Sequence, residues 1–192
     1  MQDLERKQAL ILDSERAFAN AIGAAVFEKP RVSFWMILLP FLFLYFVYRM
    51  QRFKNGRLKF DAEFMAARRK AMGLAAESVA SGKPPAAAAA AAQSGLPDSL
   101  EKPYAAFLAA LADYYADLLR AEGASFNALA RRAYRSRANF LFTLNRLGAA
   151  EKEFHAALKP HMAGTEGAAE IMAAIETHSQ RLRRELAERA FG

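Results

Sequence analysis

The sequence predicts an all-α protein: one proline-kinked membrane helix, or a re-entrant hairpin in its place, followed by a small C-terminal bundle of three or four helices. Three observations carry that expectation. Seventeen consecutive residues, Val32 to Tyr48, hold no charge. Elsewhere apolar residues recur every three or four positions, the spacing of one helix face. No stretch alternates with a period of two, as a half-buried strand would. The chain has 192 residues, of which 54% are apolar and 24% charged, enough to bury a core in one unit or two small modules and too apolar for a wholly disordered protein. It holds no cysteine, which excludes disulfide scaffolds, thiolate zinc sites, iron–sulfur clusters and thiol nucleophiles. With 27 Lys and Arg against 20 Asp and Glu the net charge is +7, a balance that favours phosphate-bearing partners, either lipid headgroups or nucleic acid.

Residues 1–31 read as an amphipathic N-terminal helix. Leu4, Ile11, Phe18, Ile22 and Val26 recur at near-heptad spacing, and Lys29-Pro30 closes the segment. Five acidic and five basic residues cancel up to Arg31, so packing against another helix is expected here ahead of lipid attraction. The membrane segment, 32–48, reads VSFWMILLPFLFLYFVY. As a helix it would be about 26 Å long at about 1.5 Å per residue, near the lower limit for crossing a hydrocarbon core of about 30 Å. Trp35 at one end and Tyr45 and Tyr48 at the other suit interfacial aromatic belts. Pro40, in the middle, removes a backbone donor and kinks the helix. These four residues are the expected anchor. A core helix of a soluble protein fits less well, because a helix apolar all round needs a larger protein to surround it. A cleaved signal peptide does not fit either, because ten charges precede the run.

Two topologies follow. In the preferred one the segment crosses once, and the basic excess of Arg49, Arg52, Lys54, Arg57 and Lys59 over Arg16, Lys29 and Arg31 places the C-terminal side in the cytoplasm. In the other, the kink is a bend, the segment returns, and both basic flanks face the cytoplasm; a bend at membrane depth exposes backbone groups to lipid. The stretch 49–80 is expected to be a basic juxtamembrane helix. Between Arg49 and Lys70 eight basic residues face only Asp61 and Glu63. Met50, Phe53, Phe60 and Phe64 mark one apolar side, and Arg49, Arg52, Lys54, Arg57 and Lys59 are placed to meet anionic headgroups, each contributing about 1 kcal/mol.

Residues 81–97 combine Ser81-Gly82-Lys83-Pro84-Pro85, seven alanines and Gln93-Ser94-Gly95-Leu96-Pro97. They read as an Ala/Pro-rich linker with room for a short Ala helix, separating a membrane module from a C-terminal one. The bundle, 98–192, is expected to open at an Asp98 or Ser99 cap, with an apolar face from Tyr104 to Leu119 and an end at Glu122-Gly123. A second helix runs from Ser125 to Gly148, a short third holds Glu151, Phe154, His155 and Leu158, and a fourth begins near Thr165. Short Gly-containing connections make neighbours antiparallel.

No motif carries chemistry. Glu151 and His155 share a helix face, but the spacings of dinuclear or His-Glu-x-x-His metal sites are missing. Phosphate-cradling glycine motifs and nucleophile elbows are missing as well. No cofactor or metal is therefore expected, and the chain is read as non-enzymatic. Arg131, Arg132, Arg135 and Arg137 surround Tyr134 on a helix with no acidic residue and offer a partner or anion face. Residues 84–192 nevertheless hold thirteen basic and twelve acidic side chains, so pairing of these arginines within the bundle is preferred and nucleic acid is disfavoured.

The stretches LERKQALILDSERAFA and EKPRVSFWMILLPFLFLYFVYRMQRFKNG resemble a family of small, uncharacterised bacterial membrane-anchored helical proteins with an amphipathic start, a proline-centred apolar run and a basic aromatic shoulder. The resemblance covers roughly the first 75 residues. It implies membrane association and transfers no functional residue. The resulting expectation is a membrane-anchored accessory subunit or scaffold that shows a cytoplasmic helical bundle to a protein partner and contacts anionic lipids. The alternative is an anionic-lipid or nucleic-acid binding module that uses the basic shoulder and the Arg131 to Arg137 face.

Overall fold

The computed structural model describes residues 2–26, 62, 64–162 and 168–192. Among them the secondary structure is helical, with no strand: α1 (Gln2–Val26), α2 (64–81), α3 (Ala87–Ala92), α4 (Asp98–Arg120), α5 (Phe126–Tyr134), α6 (Arg137–Leu158) followed by a 3-10 turn (Lys159–Met162), and α7 (Ala168–Phe191). The all-α, helical-bundle expectation holds. The apolar run 32–48 and the basic stretch 49–59 lie outside the described residues. Among the described residues no helix is long and apolar enough to cross a membrane.

The hub is α4. Leu100, Phe107, Leu108, Leu111, Tyr114, Tyr115, Leu118 and Leu119 are all buried along it, a stripe too wide for a surface helix and suited to a central one. It packs against α1, α3, α5 and α6, while α7 closes the far side on α1, α5 and α6. Pro97 occupies the N-cap position where Asp98 or Ser99 was expected. Asp98 and Glu101 fall instead in the first turn, where the positive end of the helix dipole favours carboxylates. At the other end Lys7 Nζ lies 3.4 Å from the Leu119 carbonyl and Arg6 Nη1 3.0 Å from that of Gly123. Lys7 thus covers a carbonyl that the end of α4 leaves unpaired, and Arg6 one in the loop that follows.

The expected helix from Ser125 to Gly148 is broken in two. Ser125 does cap α5, its Oγ accepting from the Ala128 amide. The chain then turns at Arg135, whose φ of 61° is left-handed, and a second cap, Ser136, accepts from Asn139 N at 3.2 Å and starts α6. Asn139 Nδ2 donates back to the Tyr134 carbonyl, so both helix ends at the break are hydrogen-bonded. Beyond it α6 runs straight through Gly148 and absorbs the expected third piece. One internal glycine costs about 1 kcal/mol, less than the packing of Leu147, Glu151 and Phe154 on either side of it supplies.

The stretch read as a linker is packed. Within 81–97, Ala87 and Ala91 of α3 are buried and Lys70 Nζ donates to the Ala90 carbonyl. Ala71, Met72 and Ala75 of α2 and Ile11 of α1 belong to the same apolar core as Leu108, Leu111, Phe140 and Ala190. Alanine at these positions lets helix backbones approach closely enough to share one core. The amphipathic N-terminal helix packs as expected, against helices. It runs antiparallel to α2: Glu15 faces Arg68 and Phe18 faces Phe64, so numbers rise along one helix as they fall along the other.

Candidate functional site

Four helices converge on an ionic cluster that no local pattern announces. On α1, Glu15 and Phe18 are three residues apart and share a face; on α2, Phe64 and Arg68 are four apart and do the same. Glu151 comes from α6 and Arg183 from α7. Arg68 Nε lies 3.0 Å from Glu15 Oε2 and its Nη2 3.3 Å from Glu151 Oε1, while Arg183 Nη2 lies 2.5 Å from Glu151 Oε2. Each oxygen of Glu151 therefore serves one arginine. Arg68, Glu151 and Arg183 retain only 3%, 5% and 5% exposure, so the cluster is an internal one. Aromatic faces complete it: the Arg68 guanidinium carbon is 3.1 Å from the Phe64 ring centroid and that of Arg183 is 5.7 Å from Phe18, placements that favour a cation.

Burial by itself would raise the Glu151 pKa, but the guanidiniums of Arg183 and Arg68 outweigh it and bring it down to about 2. Burial would likewise lower Arg68, and the carboxylates of Glu15 and Glu151 outweigh that and raise it. His155, one turn from Glu151, is lowered by burial against the pull of that carboxylate. The hydroxyl of Tyr115 is enclosed beside Glu15, and burial together with that carboxylate keeps it protonated. A cavity of about 20 Å³ lies against Ser14, Glu15, Arg68, Tyr114 and Arg183, room for one water and too little for a substrate. Glu151 and Arg68 are thus both held in their charged forms. The cluster ties four helices together as a clamp.

Gly148 lies against the clamp on the α6 side. A methyl group there would stand 3.0 Å from Arg183 Nη1. Gly148→Ala is therefore expected to lose about 1 kcal/mol by pushing Arg183 off Glu151, although alanine in a helix interior ordinarily gains about that much. In an Arg183→Met background the same change should become stabilising, and chemical denaturation of the four variants reads that reversal of sign.

The expected anchor, Trp35, Pro40, Tyr45 and Tyr48, and the expected headgroup contacts, Arg49, Arg52, Lys54, Arg57 and Lys59, lie outside the described residues. The Arg131 to Arg137 group lies within them and is engaged mainly with the end of α7. Arg131 Nη1 donates to the Ala190 carbonyl at 3.0 Å and Arg137 lies 3.4 Å from Glu188. Arg137 thus forms an ion pair and Arg131 a hydrogen bond, both with α7 and neither with the acidic residues of α4 expected as partners. Asp117 on α4 instead accepts from Tyr134 Oη and pairs with Arg120. Arg132 lines a groove of about 430 Å³ with Asp117, Arg120 and Glu122, where charges of both signs alternate. Arg135 stands at the left-handed turn.

Sequence reasoning missed the clamp. Local charge places Arg68 in the basic shoulder beside the uncharged run, and Glu151 stands out only by sharing a helix face with His155. The available signal was position: Arg68 is four residues from both Phe64 and Met72, and Arg183 adjoins Leu182 and lies three from Leu186, so both sit on apolar faces. Among the described residues no group of three or more His, Cys, Asp and Glu side chains is arranged to hold a metal. Comparison with protein-family models, with curated proteins and with solved structures finds no match for this chain.

Proposed function

We propose that the chain is a membrane-attached, non-enzymatic accessory subunit or scaffold that presents its helical bundle to a protein partner at the cytoplasmic face of a bacterial inner membrane. The observation that carries this reading is the uncharged run Val32 to Tyr48 between Arg31 and Arg49, with Trp35, Tyr45 and Tyr48 near its ends and anionic lipid within reach of the cations that follow. The clamp supports the presenting role. It ties α1, which precedes the run, and α2, which follows it, to α6 and α7. An anchor attached at those two helices would carry the bundle in a set orientation, without the play of a flexible tether.

Flotation with anionic vesicles tests the attachment. The full chain is expected to rise with the vesicles in both low and 1 M salt (an ionic strength of about 1 M reduces the screening length to about 3 Å), and a chain lacking 32–48 to stay below. A full chain that remains monomeric and unbound without detergent overturns the reading. Flotation that salt abolishes assigns the binding to the basic residues and supports the lipid-binding alternative in place of an anchor.

A further inference from the structure

We infer that residues 2–26 and 64–192 lie on the same side of the membrane, so that the apolar run enters and leaves through one leaflet and does not cross. The inference rests on the membrane reading above and decides between its two topologies, against the single crossing that the count of flanking cations favours. The packing of α1 on α2 carries it. Glu15 lies 3.0 Å from Arg68, and the rings of Phe18 and Phe64 stack with centroids 6.1 Å apart. Ile22, Phe64 and Met65 share one buried cluster with Leu182 of α7. The last turns of α1 and the first turns of α2 therefore meet on the body to which both belong. A single crossing would put a hydrocarbon layer of about 30 Å between them. It would also strip Ile11 and Ile22, both fully buried, from their partners and leave Arg68 without Glu15.

Sequence length agrees with this. The uncharged run has seventeen residues, whereas two complete crossings would need about 40 apolar residues. Basic residues stand on both of its flanks, and a common side lets both obey the preference of cations for the cytoplasmic face.

The chain has no cysteine, so single cysteines report sidedness directly. Asn20→Cys on α1 and Ala80→Cys on α2 are at exposed positions. Each full-length variant, in inverted and right-side-out membrane vesicles, is treated with a membrane-impermeant maleimide before and after detergent. The expected result is that both cysteines label in inverted vesicles, with at least tenfold less labelling of both in right-side-out ones until detergent is added. Labelling of the two in opposite orientations overturns the inference and leaves the membrane reading standing. Recovery of the full chain in the supernatant instead of the vesicle pellet overturns both.

Discussion

Glu151→Ala is expected to destabilise the bundle by about 3 to 5 kcal/mol, because it leaves two buried guanidiniums uncompensated. Arg68 keeps Glu15, at 3.0 Å. Arg183 keeps the distant face of Phe18 and loses the carboxylate oxygen that meets it at 2.5 Å. The loss should appear as a lower denaturation midpoint of the full chain in detergent with an unchanged slope. The sharper expectation concerns the whole cluster. Replacing Glu15, Arg68, Glu151 and Arg183 together by Leu, Met, Leu and Met should cost far less than the single change, since buried ionic groups regain in pairing roughly what they lose in hydration. If the single variant loses under about 1 kcal/mol, water reaches the clamp and its role in tying the helices together is refuted.

Acid should unfold the protein through the same carboxylate. The folded-state pKa of Glu151 is about 2 against an ordinary 4.5, so the unfolded chain takes up the proton first. Its contribution is complete above pH 4.5 and is lost as pH falls toward 2, amounting to roughly 3 kcal/mol at about 1.4 kcal/mol per pH unit. His155 acts in the same direction from higher pH. Its pKa is lowered below 6.5 by burial, so protonation of the unfolded chain begins to erode stability as pH drops through that value. In Glu151→Gln the decline between pH 4.5 and 2 should flatten, whereas the His155 contribution above it should persist. Denaturant titrations at half-unit pH steps read both segments. An unchanged slope below pH 4.5 in Glu151→Gln would show that other carboxylates govern acid unfolding.

How much of this could be read in the residues depended on the range of the interaction. Ser125 announces its helix because a cap is a contact over three residues. The apolar positions of α4 announce theirs because helical periodicity is local. Ser136 is an equally good cap, yet Arg135 before it has no turn signature. The break therefore shows only where Asn139 reaches back to Tyr134. The alanines between 86 and 92 looked like linker because small side chains carry little hydrophobic signal. Against α4 that smallness is what permits close packing of Ala87 and Ala91 of α3.

The clamp lies at the other extreme. Glu15, Arg68, Glu151 and Arg183 span 168 positions of the chain, and nothing near any one of them identifies the other three. By itself the sequence determined the all-helical class, the start of the helix at Ser125 and the existence of one uncharged run bounded by cations, because each follows from neighbours within a few turns. Only the tertiary structure decided that α1 and α2 share a body with the bundle, and that Arg68 faces inward while its neighbour Arg69 is exposed. The physical reason is that a buried charge is tolerated only where an opposite charge arrives from elsewhere in the fold. That arrival is a property of packing, which periodicity and composition do not encode.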